Sequence, residues 1–147
     1  MPGEGLDLGA NTSLSPQAAI FLNHNLPAEQ RRKWRPLFNS RTQGESFSKL
    51  SAAIVKKGPT LVVVWEKKGN VFGGYASDSW ALGPKFYGDN SCFLFTLTPK
   101  MFAYEALRFN SNYQYMNLKQ KTMPNGIGKQ TRSSFLSLPL FAVTQVF

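Results

Sequence analysis

The chain has 147 residues, which by size is one domain at most. Its composition, 42% hydrophobic and 14% aromatic with twelve phenylalanines, is that of a globular protein and argues against long disordered tracts in the middle. The net charge of +9 favours acidic partners (nucleic acid, an anionic membrane or an acidic protein), and the single cysteine, Cys92, excludes an intrachain disulfide.

No signal peptide is predicted at the N-terminus. The first ten residues contain Glu4 and Asp7 and lack the basic region of a signal peptide. No run of 18 apolar residues exists, so no transmembrane helix is predicted. Gly3 follows Pro2 rather than Met1, so the N-terminal myristoylation pattern is absent. We expect residues 1–25 to form a loose leader, rich at first in Gly, Ser, Asn and Pro.

An apolar run and a proline mark the first helical region. Residues 17–22 are predicted to form one or two helical turns. Pro27 suits the first position of a helix because its missing N–H would be unpaired there, and good helix formers follow. Pro36 limits or kinks this helix, which is therefore predicted over 27–35. Its basic residues form either a recognition or membrane patch or the solvated face of an amphipathic helix: Arg31, Arg32, Lys33 and Arg35.

A second helix is predicted over 46–57. Ser46 is a plausible N-cap, and Leu50 and Ile54 recur at helical spacing after it. Gly58, suited to a left-handed C-terminal cap, and the proline after it are expected to end the helix.

A β-hairpin follows this helix. Continuous β-branched residues predict a buried strand over 60–66, and a Lys-Lys-Gly-Asn turn leads to a second arm over 71–76. Gly73 and Gly74 in that arm indicate a bulge or a close approach of two backbones. They lack the Gly-Lys-Ser/Thr sequence and the following helix of a phosphate loop. Residues 91–98 are apolar on both faces, which predicts a strand covered on both sides, as in a sandwich.

The remaining pattern is weaker. Short strands are predicted over 101–105 and 113–118, and a loop over 123–128. A second basic group consists of Lys119, Lys121, Lys129 and Arg132. No nucleic-acid-binding motif accompanies it.

Residues that could carry catalysis are sparse. His24 is the only histidine and is expected to be structural or solvated, while Cys92 lies in an apolar strand and is expected to be a buried thiol. Asp78 and Asp89 are the only carboxylates of the loop over 77–90, and acid/base work would require them to meet in space. We predict no catalytic, cofactor or metal site. An antioxidant enzyme and a basic nucleic-acid- or membrane-binding module remain the alternatives.

Several motifs resemble, in order, the TLDc domain of the oxidation-resistance proteins. They are G-E-S-F-S-K-L, G-P-T-L-V-V-V, G-N-V-F-G-G-Y-A, F-Y-G-D-N-S-C-F-L-F-T-L and N-Y-Q-Y-M-N. The runs L-P-A-E-Q-R-R-K-W-R-P-L-F-N-S-R and Q-K-T-M-P-N-G-I-G resemble most closely the lysosomal, MTOR-associated branch of this family. Eight residues match the family pattern as fold-defining positions: Gly44, Ser46, Phe47, Gly73, Gly74, Trp80, Gly88 and Asp89.

The resemblance implies an α+β protein, mainly an antiparallel β-sandwich with flanking N-terminal helices, incomplete in this chain. It implies a non-enzymatic interaction module without a cofactor, acting in MTOR signalling and the oxidative-stress response. The implied partners are proteins, namely the vacuolar-type ATPase and MTOR pathway components, with no nucleic acid expected. The implied location is the cytoplasm, with association to lysosomal membranes.

The resemblance divides the chain into three segments. A leader over 1–25 precedes a partial TLDc domain over 26–128, and a tail over 129–147 carries no recognised family pattern. The family's later strands and the branch's long N-terminal region, with its lipid-acceptor glycine, are not recognised either. We therefore expect a truncated splice form or gene model. An exposed sheet edge and the apolar segment 135–141 are then expected to favour aggregation and leave the fold marginally stable.

Overall fold

The computed structural model describes residues 14–31, 34–44, 46–83, 85–106, 113–116, 126–127 and 143–147. Its helices are α1 (Pro16–Asn25), a short 3-10 helix (Ala28–Gln30), α2 (Ser40–Gln43) and α3 (Phe47–Ile54). Its strands are β1 (Phe38–Asn39), β2 (Thr60–Trp65), β3 (Val71–Ala76), β4 (Phe93–Thr98), β5 (Phe102–Glu105), β6 (Gln114–Tyr115), β7 (Gly126–Ile127) and β8 (Val143–Val146). Within these ranges no helix is long and apolar enough to cross a membrane.

One antiparallel sheet organises the fold. Among the described residues its strand order is β1-β8-β2-β3-β4-β5, and β6 and β7 pair separately with each other. Helices on an antiparallel sheet confirm the predicted α+β class. The described part of the chain gives a second sheet only as the β6–β7 pair, so the full sandwich stays a proposal.

Both faces of the large sheet are covered. Leu61 and Val63 of β2 belong to the core on one face, and Val62 and Val64 belong to the core on the other, as the period of two along a strand requires. The first core includes Leu14, Ala18, Ala19, Leu22 and Leu26 from α1 and its ends. The second includes Leu50, Ile54, Trp80, Met116 and Ile127.

The β4 strand confirms that the apolar pattern of residues 91–98 is covered on both sides. Phe93, Phe95 and Leu97 belong to the core on the α1 face. Cys92 belongs to the opposite core and Leu94 packs against it. A strand that buries both faces reads as a nearly continuous apolar run, which is what the sequence showed.

The first helical region agrees with the prediction only in part, since α1 contains the helical turns predicted over 17–22. α1 has ten residues, begins after the N-cap Ser15, whose Oγ accepts the Ala18 N–H at 3.2 Å, and lies within the segment expected as a leader. The predicted helix over 27–35 is wrong, because only the 3-10 turn forms and Arg31 is already extended. The residue before Pro36 is sterically biased away from helical backbone, which opposes continuation. Arg32 and Lys33 lie outside the described residues.

The second predicted helix forms but is shorter than predicted. α3 begins after Ser46, whose Oγ accepts the Lys49 N–H at 3.4 Å, and ends at Ile54. Val55 leaves the helix to form a parallel bridge with Trp80, and the Lys56 N–H donates to the Trp80 carbonyl at 2.9 Å. A tertiary contact thus ends the helix before Gly58.

The hairpin of β2 and β3 confirms its predicted strands, with the first arm one residue shorter. Gly73 makes the predicted close approach, since a Cβ built there would lie 1.8 Å from the Val62 carbonyl oxygen. A register shift between β3 and β4 falls nearby, at Val71 and Phe72. β5 confirms the strand predicted over 101–105.

Three strands late in the chain add to this picture. β6 confirms part of the strand predicted over 113–118, whose last two residues lie outside the described ones. The loop predicted over 123–128 is wrong at β7, which pairs with β6. β8 lies within the segment expected as a tail and inserts between β1 and β2. The segment 135–141 lies outside the described residues.

Candidate interaction site

The eight positions of the family pattern occupy three places. Gly44 ends α2 with a φ of 91°, and Ser46 caps α3, while the side chain of Phe47 is not described. The glycine pair Gly73 and Gly74 lies in β3. The other three, Trp80, Gly88 and Asp89, lie in the loop between β3 and β4. Their common role as fold-defining family positions stays a prediction.

A buried amide holds that loop in place. Gln114 is fully buried, its Oε1 accepts the Asp78 N–H at 2.9 Å, and its Nε2 donates to the Asp78 carbonyl at 3.0 Å. Its backbone exchanges two hydrogen bonds with Tyr87, at 2.8 and 3.0 Å. Gly88 has a φ of 92°, and a Cβ there would lie 2.7 Å from the Gln114 Oε1. The loop thus supplies, from Asp78 and Tyr87, the hydrogen-bond partners that a buried amide needs.

Two further contacts anchor the same loop. The Trp80 Nε1–H donates to the Thr60 hydroxyl at 2.8 Å, and both side chains are buried. The Tyr87 hydroxyl accepts the Ala81 N–H at 2.9 Å, and burial raises the pKa of Tyr87 to about 12. Tyr87 therefore stays a neutral phenol at physiological pH.

The single thiol is buried, as predicted. Cys92 is 3% exposed, and its Sγ accepts the Ser77 N–H at 3.4 Å and lies 3.2 Å from the Ser77 hydroxyl. The thiol also donates to the Gln114 Oε1 at 3.7 Å. Cys92 lines a cavity of about 370 Å³, but it is buried, whereas a peroxidatic thiol must be reached by its substrate.

The loop carboxylates each stabilise a local turn. The Asp78 Oδ1 accepts the Ser79 N–H at 2.9 Å. The Asp89 Oδ1 accepts the Ser91 N–H at 2.8 Å and the Ser91 hydroxyl as well, and these bonds hold the pKa of Asp89 below its usual value. The two carboxylates thus stabilise separate turns. His24 is exposed, as expected, and no group of three His, Cys, Asp or Glu side chains within the described ranges could hold a metal ion.

A groove of about 270 Å³ lies where the linker after the 3-10 helix meets the sheet. Leu61, Tyr75 and Phe147 are buried side chains that line it. Trp34 lies beside them, with its ring centroid 5.5 Å from that of Phe147. Burial raises the pKa of Tyr75 to about 12, so its hydroxyl stays protonated at physiological pH.

The rim of this groove is cationic. Arg35 and Lys57 line it and are exposed, and no side chain among its described lining residues is a carboxylate. The sequence shows that residues 31–35 are basic, but it does not show that they lie near Lys57 or Phe147. These residues are far apart in the chain, and only the sheet brings them together. We call this site the Trp34 groove.

The edge of the sheet formed by β5 carries exposed aromatic residues. Phe102 is 56% exposed and Tyr104 is 53% exposed, with ring centroids 4.7 Å apart on β5. Within the described residues β5 pairs only with β4. Exposed apolar edges promote association, but the exposed edge and the aggregation expected from the sequence stay predictions.

Comparison with known proteins adds a second kind of evidence. The family model for the TLDc domain matches residues 9–138. The chain is 47% identical over 119 residues to the MTOR-associated protein MEAK7 of Gallus gallus, covering 81% of this chain and 25% of that protein. It is 40% identical over 130 residues to the protein of that name from Homo sapiens, and the match covers 88% of this chain and 28% of that protein. The chain thus spans about a quarter of the length of the curated relatives it matches.

Proposed function

The chain belongs to the TLDc domain family and is related to the MTOR-associated protein MEAK7, and we propose that it acts as a non-enzymatic interaction module. The observation that carries this proposal is the identity of 40–47% over more than four fifths of the chain with relatives named for their association with MTOR. The proposed partners are MTOR pathway components and the vacuolar-type ATPase, which TLDc proteins are expected to bind. The proposed setting is the cytoplasm and the lysosomal membrane surface, in MTOR signalling and the oxidative-stress response.

The arrangement of the thiol supports a role without chemistry. An antioxidant enzyme working through Cys92 would need an exposed and activated thiolate. Cys92 is instead buried, with the Ser77 and Gln114 side chains as its polar contacts. The loop that covers it is fixed by buried hydrogen bonds. A protein–protein role requires none of these groups to react.

The proposal is tested by capture of the purified vacuolar-type ATPase on the immobilised chain, with peroxide consumption measured on the same samples. Cys92→Ser and Cys92→Ala are the matched variants, each checked by a thermal melt. We expect both variants to retain capture within about twofold, since a buried core thiol touches no partner, and we expect peroxide consumption at the buffer level.

Two results would contradict the proposal. One is peroxide turnover by the wild-type chain that both folded Cys92 variants lose, which would make it a thiol enzyme. The other is wild-type chain that melts cooperatively yet captures no ATPase, which would remove the proposed partner.

A further inference from the structure

We propose that the Trp34 groove binds an acidic peptide segment of a protein partner, one that presents an apolar side chain between carboxylates. The inference rests on the proposed function and names the surface and the partner chemistry for it. Three observations carry it: the apolar base of the groove, its cationic rim and an indole donor without an acceptor.

The size of the groove fits a side chain of a peptide better than a cofactor. Its volume of about 270 Å³ is at the lower end of the roughly 300–1,000 Å³ of pockets that enclose small ligands, which suits a single large side chain. Leu61, Tyr75 and Phe147 provide an apolar base, and the Trp34 ring packs beside Phe147. An aromatic or aliphatic anchor residue inserted here would be largely desolvated, as anchors in protein interfaces are.

The positive charge of the rim favours a partner with negative charge. Arg35 and Lys57 are exposed on it, and no carboxylate side chain stands among the described residues that line the groove. In the 147-residue chain Phe147 also brings one α-carboxylate to the groove; one of its oxygens accepts the Leu61 N–H at 3.1 Å, and the two rim cations outnumber this single negative charge. A chain with a net charge of +9 attracts acidic surfaces at long range, and the two rim cations would hold carboxylates at short range.

The indole of Trp34 indicates a missing acceptor. Its Nε1 is buried and has no hydrogen-bond partner among the described residues. Trp80, by comparison, donates its Nε1–H to the Thr60 hydroxyl. Native proteins leave few buried donors unpaired, and an unpaired one calls for an explanation. The Nε1 is closed to solvent in the free chain, so a carbonyl or carboxylate oxygen of a bound peptide would accept its N–H once the Trp34 ring turns toward the groove.

The test follows the Trp34 indole and the Leu61 and Tyr75 amides by nuclear magnetic resonance in the whole 147-residue chain. The probes are two peptides with the same central leucine and phenylalanine, flanked by four glutamates in one and by four lysines in the other. We expect the glutamate peptide to shift these signals, the lysine peptide to leave them unmoved, and added salt to weaken the binding.

Charge reversal supplies the matched variants. Arg35→Glu with Lys57→Glu is expected to weaken binding of the glutamate peptide about tenfold or more. Lys68→Glu with Lys100→Glu changes the net charge equally at exposed positions near the other end of the strands and is expected to leave the affinity within about twofold. All four substituted side chains are exposed, so thermal melts should remain close to that of the wild type.

The proposal is overturned if the glutamate peptide causes no shift at millimolar concentration, if the lysine peptide binds equally, or if both double variants weaken binding alike. Phosphatidylserine vesicles that move these signals when the peptide does not would assign the groove to a membrane instead. ATPase capture is measured in parallel. Capture without peptide binding overturns the groove alone, whereas peptide binding without capture supports the groove and overturns the proposed ATPase partner.

Discussion

Replacing Gly73 with alanine is expected to destabilise the chain by at least about 4 kcal/mol, which places it among the exceptional single substitutions. The added Cβ would lie 1.8 Å from the carbonyl oxygen and 2.9 Å from the carbonyl carbon of Val62, and 2.7 Å from the Phe95 ring. The first two atoms are backbone in the central strand, so no side-chain rotation relieves the clash. β2 and β3 would have to move apart, which would break the backbone pairing between these two central strands.

Urea denaturation followed by circular dichroism measures this effect, and Gly83→Ala is the matched control. Gly83 has no atom within 4 Å of its built Cβ and is not among the described glycines with positive φ, so its replacement should stay within about 0.5 kcal/mol of the wild type. Domains of this kind have a total stability of about 5–15 kcal/mol. Gly73→Ala should therefore leave the chain largely unfolded or melting far earlier. Equal midpoints for the two variants would show that β2 and β3 do not pack as described.

Replacing Trp80 with alanine is expected to cost about 3–5 kcal/mol, the range for large aromatic residues lost from a core. Trp80 is fully buried, and the Val55 bridge and the Lys56 amide hold its backbone against the end of α3. Trp80→Phe should cost less, about 1–3 kcal/mol, and part of that cost comes from the Thr60 hydroxyl, which is left buried without its donor.

A double-mutant cycle separates the hydrogen bond from the packing. Thr60→Val removes the hydroxyl with little change in shape, so Trp80→Phe should cost less in the Thr60→Val background than in the wild type. We expect a coupling free energy of about 1 kcal/mol from urea denaturation of the four proteins. A coupling free energy of zero would mean that the indole and the hydroxyl do not interact, and equal losses for Trp80→Phe and Trp80→Ala would contradict the described packing of the ring.

Local signals predicted the centre of the fold well. The β2–β3 hairpin followed from a β-branched run and a turn, and β4 from a run that is apolar on both faces. The start of α3 followed from the Ser46 cap. The end of α3 did not, because the Trp80 backbone, distant in sequence, captures Val55 and Lys56. Local propensity cannot foresee a contact of that kind.

The parts that sequence reasoning missed depend on long-range contacts. The burial of Gln114 requires the Asp78 backbone as its partner, and a glutamine between two tyrosines gives no sign of this. The Trp34 groove combines residues of the linker, the end of α3, the hairpin and the last strand. The division of the chain at residues 25 and 128 stays a prediction, although α1 and β8 both lie in the large fold outside those bounds.

The groove depends on β8, which lies beside β2 and carries Phe147 to the groove. The Leu61 N–H donates to the Phe147 carbonyl at 3.1 Å, and the Leu61 carbonyl accepts the Phe147 N–H at 2.9 Å. Hydrogen-bonded pairs alternate along antiparallel strands, so the Val63 amide also faces β8, whereas the Val62 and Val64 amides face β3.

Amide hydrogen exchange at single-residue resolution in the 147-residue chain tests this position of β8 most directly. If β8 is in place, the Leu61 and Val63 amides exchange as slowly as those of Val62 and Val64, because β2 is then paired on both sides. If β8 is absent from the sheet, Val62 and Val64 remain protected while Leu61 and Val63 exchange quickly. That alternating pattern would contradict the described sheet and remove the structural basis of the Trp34 groove.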